Sequence, residues 1–256
     1  LLLLDADCVP ASSHWLWYMT EPLRQGQELV LGVSPLLPDK DGGLLAYWQW
    51  LESVYVSLKY LGFAYRKRPY MGVGRNLAYT KSFYRRAGGF VDHADLPGGD
   101  DDLLVAGSAD PERTTRMVHP AAWTHSKGQP DWRRYFRQRG RHQSTGVRYP
   151  KHIAWLLGGI ALSHGLFYLL GFYLLMTPVW WLATVAYGLR FFLLLLAYRR
   201  PLLAYDPAVY GGADAGAVQG LGSWVRAISM VIAGDALLGP MYLYLALSGL
   251  LPRRDW

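Results

Sequence analysis

A single cysteine, Cys8, in 256 residues excludes an internal disulfide framework and any zinc centre built from cysteines, and it fits a reducing compartment. Charge is scarce as well. Only 18% of residues are charged against 52% hydrophobic, which excludes a disordered chain, and the formal charge is +7. There is no initiator Met and no signal peptide; the chain opens inside an apolar run and reads as N-terminally truncated. No Ser-His-Asp or Cys-His set for covalent catalysis is visible. His119 and His125 lack a third ligand at metal spacing and read as ordinary polar positions.

What is present is unevenly spread. Residues 1–150 read as a mixed soluble domain, and 153–251 hold long apolar runs with few charges. The run Leu1, Leu2, Leu3, Leu4 suits a strand buried on both faces of a parallel sheet, with Asp5 and Asp7 at its carboxyl end, where such sheets bind ligands. Two carboxylates one residue apart suit a hard divalent ion, magnesium or manganese, although Asp after a strand more commonly marks a turn. Ser12 or Ser13 is placed to cap a short aromatic helix, residues 28–35 read as a second buried strand ended by Pro35, and 36–43 as a loop.

Apolar residues from Leu44 to Phe63 recur at helical spacing; this aromatic helix suits either the headgroup level of a bilayer or the face of a sheet. Gly72 and Gly74 let backbone N–H groups approach a ligand, and Arg75 and Asn76 add donors beside them. Without a third glycine this is not a dinucleotide fingerprint. A short helix closes at Gly88 and Gly89. Asp100, Asp101 and Asp102 follow two glycines and repel one another unless a cation or proton is shared; the alternative is a set of caps for a helix starting at Leu103. Residues 114–126 read as strand, bend, strand. The stretch 131–143 is densely basic and able to neutralise pyrophosphate or face lipid headgroups, and its place before a membrane run makes nucleic acid the least suitable partner.

An apolar strand ending in Asp5-x-Asp7, the segment from Gly72 to Tyr79, the acidic cluster from Gly99 to Leu103, and Gln138-x-x-Arg141 ahead of membrane helices occur in that order. Together they resemble a membrane-bound, inverting family 2 glycosyltransferase of the cellulose-synthase-like type. The likeness is close over about residues 1–150 and is only a hydrophobic pattern beyond. It implies an α/β fold: 1–150 as the C-terminal part of a GT-A (Rossmann-like) catalytic domain, followed by 151–256 as a transmembrane region of two to three helices.

On matching positions, the resemblance implies that Asp5 and Asp7 hold Mg2+ or Mn2+ and the diphosphate of a nucleotide-sugar donor. An Asp of the second cluster, Asp101 or in the other alignment Asp100, would be the base, and Gln138 and Arg141 would bind pyrophosphate and acceptor. His142 stands where the family has Trp, a smaller stacking face that weakens any expectation of processive synthesis. The acceptor implied is a lipid or a glycan. The family's nucleotide-base pocket precedes the D-x-D strand, so the chain as it stands is not expected to be active alone. Two readings from other classes remain: a membrane transport or secretion component, or a scaffold, with a non-catalytic glycosyltransferase-like domain.

Residues 153–176 and 179–198 are each long enough to span a bilayer at roughly 1.5 Å per residue, with Pro178 in a tight hairpin between them. Lys151 and the arginines of 133–148 precede the first and Arg199-Arg200 follow the second, so both flanks and the catalytic domain are expected in the cytoplasm, as in a bacterial inner-membrane protein. His164 and Arg190 inside the spans suit helix-helix hydrogen bonding. Residues 201–223 read as loop. Residues 225–251, with Arg226, Asp235 and Pro240, read as a third span or as a helix pair split at Gly239-Pro240.

Overall fold

A computed structural model describes residues 1–37, 43–91, 100–144, 148–205 and 221–249. The chain divides into two compact units, Leu1–Ala154 and Trp155–Trp256. The first is a mixed α/β unit with two small sheets. Sheet one orders β1 (Leu2–Leu3), β5 (Leu77–Tyr79), β3 (Leu29–Leu31) and β6 (Thr114–Arg116), with β5 antiparallel to both neighbours and β3 parallel to β6. Sheet two orders β2 (Val9–Pro10), β7 (Thr124–Lys127) and β4 (Leu36–Leu37).

The leucine run does not become a strand buried on both faces of a parallel sheet. Leu2 and Leu3 form an antiparallel edge strand, half-buried, while Leu1 and Leu4 are exposed. An apolar run fixes neither its partner nor its place in a sheet. Residues 28–35 hold the short central strand β3, whose three residues are fully buried. The expected loop at 36–43 begins instead with β4; residues 38–42 lie outside those described.

Helix α1 (Trp15–Arg24) lays Met19, which is fully buried, on Val30 and Ala78 of sheet one and on Ala122. Burial of a side chain of that size contributes about 2 kcal/mol. Neither Ser12 nor Ser13 caps it through its hydroxyl as a helical N-cap; His14 holds that position, and Ser12 Oγ instead donates to the Ala121 carbonyl at 2.7 Å. Helix α2 (Gly43–Tyr65) packs on β4 and β6, burying Trp50, Leu51, Val54, Tyr60 and Leu61, so the choice left open by its amphipathic pattern falls to packing. It also buries Glu52 completely. That carboxylate pairs with Arg139 at 2.7 Å and accepts from the Tyr135 hydroxyl at 3.0 Å, fastening α5 (Trp132–Ser144) to α2.

Helix α3 (Lys81–Arg86) is capped by Thr80 Oγ1, which accepts from the Phe83 N–H, and ends at Gly88 and Gly89, both with positive φ. Helix α4 (Asp100–Ser108) starts three residues earlier than the sequence suggests, so all three acids lie in its first turn. Strand, bend and strand over 114–126 appear as β6, a short turn of helix at Pro120–Ala122, and β7.

The second unit is helical. Helices α6 (Lys151–Leu175) and α7 (Trp180–Ala204) are long and apolar enough to cross a membrane, and α7 runs on into what reads as loop from the sequence. The third helix, α8 (Leu221–Gly249), continues through Pro240 rather than splitting there; residues 206–220 and the pair Arg253 and Arg254 lie outside those described.

Asn76, on the turn Gly74–Asn76 before β5, is wholly buried. Its amide donates to the carbonyls of Val33 and Ala122, each at 2.8 Å, and accepts from Trp15 Nε1 at 3.0 Å. Asn76→Ala removes three hydrogen bonds, although the Val33 carbonyl keeps the Thr124 N–H at 3.1 Å, and is expected to destabilise the first unit by about 3 kcal/mol. Denaturant unfolding followed by tryptophan fluorescence measures it, and a loss below about 0.5 kcal/mol would contradict this.

Candidate functional site

Beyond β1 the chain turns, with Cys8 N–H bonded to the Asp5 carbonyl at 3.0 Å. That turn gathers Asp5, Asp7 and Cys8 so that one ligand atom of each lies within 4.8 Å of the others; both acids are exposed and Cys8 is buried. Burial pushes the Cys8 thiol above its ordinary range, as do Asp7 and Asp5, while a hydrogen bond from Ser126 and the charge of Arg75 pull the other way. The thiol stays protonated near neutrality and donates weakly to Asp7 at 3.7 Å, leaving two carboxylates as the anionic groups of the turn. A donor set of oxygens fits magnesium or manganese.

Arg75, on the turn that buries Asn76, feels the charge of Asp5. Its guanidinium donates to Ser126 Oγ on β7 at 3.3 Å. Burial and the charge of Arg139 draw the Arg75 guanidinium below its usual value, while Cys8 and Asp5 act to raise it. Arg75, Cys8, Ser126 and Asp5 thus share one electrostatic neighbourhood with Arg139 of α5. His142 belongs to it too. Although its ring is exposed on one side, the surrounding protein and then Arg139, Arg141 and Arg75 press the imidazole down to about 3, so it is neutral at physiological pH.

The second acidic cluster meets Gly74, the neighbour of Arg75 on the same turn. The Gly74 N–H donates to Asp101 Oδ2, and the Asp102 N–H donates to Asp101 Oδ1 at 2.9 Å. A Cβ on Gly74 would stand 3.0 Å from that Oδ2, so glycine permits the approach. Asp101 is therefore oriented by two backbone donors, with its side chain half-buried. Asp102 is buried and accepts from the Tyr149 hydroxyl, which burial and then Asp102 push upward. The side chain of Asp100 lies outside those described.

Some expected donors are occupied by the fold. Asn76, expected to face a ligand, spends its amide on Val33, Ala122 and Trp15, because the turn points it inward. Gly74 offers its N–H to Asp101 rather than to a phosphate. Gly72 is a packing glycine, since a Cβ there would press on Leu77, Leu31 and Val105. On α5, Gln138 and Arg141 are half-buried and one helical turn apart. His119 stacks on Tyr18 with centroids 4.2 Å apart, away from any ligand set, and burial lowers His125.

Sequence reasoning missed Cys8, Ser126, Arg139 and Tyr149 as members of the site. Cys8 adjoins the D-x-D pair and Arg139 lies inside the Gln138 to Arg141 motif, so adjacency was the available signal. Ser126 and Tyr149 are brought in only by tertiary structure. A comparison of the chain with protein-family models and with curated proteins found no match.

The raised Cys8 thiol has a chemical consequence. Alkylation of Cys8 by iodoacetamide in the folded protein should be several-fold slower at pH 8 than that of an unfolded cysteine and should accelerate only at higher pH, because the thiolate is the nucleophile. Mass-spectrometric labelling rates across pH 7 to 10 measure this; rapid labelling at pH 7 would contradict it.

Proposed function

We propose that the chain is part of a membrane-bound, inverting family 2 glycosyltransferase with a GT-A catalytic domain, moving a sugar from a nucleotide-diphosphate donor to a lipid or glycan acceptor at the cytoplasmic membrane face. The observation that carries it is that Asp5 and Arg75 share an electrostatic neighbourhood with Arg139 and His142 of α5, with Asp7 beside Asp5, while Asp101 is held by the N–H of Gly74, the residue next to Arg75. Inverting transfer requires one carboxylate base near the acceptor and positive charge on the departing diphosphate. Those are the two kinds of group gathered here.

Asp101 takes the acceptor proton as the hydroxyl oxygen bonds to the anomeric carbon and the bond from that carbon to the diphosphate breaks. Its two backbone donors, Gly74 and Asp102, hold the carboxylate plane. Arg141 and Arg75 receive the charge of the leaving diphosphate, which departs with its electron pair. Asp5 and Asp7 would hold magnesium or manganese, and the ion when bound adds positive charge at the diphosphate. His142, neutral among arginines, offers a hydrogen bond to the acceptor instead of the broad stacking face of Trp. Two helices long and apolar enough to cross a bilayer support a membrane setting.

Transfer or hydrolysis of nucleotide sugars by the full-length protein in membranes with Mg2+ or Mn2+ tests this directly. Asp101→Asn is expected to lower the rate about 10²- to 10⁴-fold, the usual contribution of a general base. Asp100→Asn should retain most activity. If no common donor is turned over and no metal-dependent stabilisation is seen, the transport or scaffold reading takes its place.

A further inference from the structure

We infer that α8 is a third membrane-spanning helix, its outward face set against lipid acyl chains. Its apolar content over Ala227–Tyr242 does not by itself decide this. The case rests on where its one buried acid lies. Asp235, the central residue of Leu221–Gly249, accepts from Arg190 Nε and Nη2, each at 2.6 Å, and from the Tyr168 hydroxyl at 2.7 Å. His164 Nε2 donates to the Asp235 carbonyl at 2.9 Å, which fixes the tautomer and leaves Nδ1 to accept from Arg190 Nη2 at 3.2 Å.

Arg190 sits at the middle of the apolar stretch Trp180–Arg199, and His164 near the middle of Lys151–Leu175. Three central polar residues, one from each helix, therefore meet at one level. When α6 and α7 span, that level is the bilayer midplane, roughly 15 Å from either end at 1.5 Å per residue. A helix lying at the headgroups could not bring its central carboxylate there. An arginine at mid-bilayer is costly without a partner, and Asp235 is the partner.

The faces of α8 agree. Ala227, Met230, Val231 and Leu238 are buried on the same side as Asp235, and α8 packs closely against α7. At Gly239 a Cβ would collide with the His164 ring, so the α8 backbone approaches α6 closely. Val225 and Ile232 on the opposite side are exposed, and so are Ile228 and Leu237, as a lipid-facing helix requires. Trp224 and Tyr244, both exposed, lie about 30 Å apart along the helix, the thickness of a hydrocarbon core, where interfacial aromatic residues anchor a span. The arrangement overrides the charge rule, which would keep Arg253 and Arg254 on the face that holds Arg199.

In a Cys8→Ala background, single cysteines Arg148→Cys and Pro252→Cys are labelled with a membrane-impermeant maleimide from each face of sealed vesicles. Position 252 should label only from the face opposite to position 148, and an epitope tag at the C-terminus should be protease-accessible from that same opposite face. Labelling of both positions from one face, with the tag accessible there too, would overturn the inference. Asp235→Leu should lower the opposite-face fraction at position 252 at least several-fold, and Asp235→Leu with Arg190→Leu should restore it; a fraction unchanged by Asp235→Leu would overturn the part assigned to the pair.

Discussion

The buried amide of Asn76 is the joint on which the first unit depends. It holds the carbonyl of Val33 just beyond β3, the carbonyl of Ala122 just before β7, and the indole of Trp15 at the start of α1. Gly32 has no side chain because a Cβ there would collide with this amide. With Asn76 locked inward, Arg75 and Gly74 on the same turn have their directions set, one toward Ser126 and the other toward Asp101. One internal satisfied polar group thus aligns two neighbours on its turn, and burying it unpaired would cost more than it returns.

Around that joint the charges are arranged in opposition. Acids come from the turn after β1 and from the first turn of α4; cations come from Arg75 and from α5, whose rotation is fastened by Arg139 on the wholly buried Glu52. A buried carboxylate with an arginine and a tyrosine hydroxyl on it is a strong registry device, because any rotation of α5 would leave Glu52 uncompensated. Arg139 acts in both places, since its charge is felt by Arg75 and by His142. The helical second unit repeats the logic with Arg190 on the buried Asp235.

Much of this was legible in the sequence wherever chemistry or periodicity is local. The D-x-D pair, the acidic triplet, the long helix after Leu44 and the two apolar runs follow from residue type and spacing. What escaped depends on partners distant in sequence. The four leucines could not reveal that β1 is an antiparallel edge, because apolarity does not specify a neighbour. Asn76 reads as a donor to a ligand until its three partners, 43, 46 and 61 residues away, claim it. Gln49 and Glu52 lie on a helix face that composition would leave in water, yet both are buried, Gln49 donating to the Gln129 carbonyl and Glu52 answering Arg139. The pull of Asp235 on Arg190 was likewise invisible, although each residue stood out alone as a charge in an apolar run.

The central claim is that the acids after β1 and the cations facing them form one site for a metal-bound diphosphate. Mn2+ binding followed by electron paramagnetic resonance, with and without inorganic pyrophosphate, tests it most directly. The account predicts one bound Mn2+ per chain, tightened by pyrophosphate and lost in Asp7→Asn. Binding that is absent, or that is indifferent both to pyrophosphate and to Asp7→Asn, would contradict it.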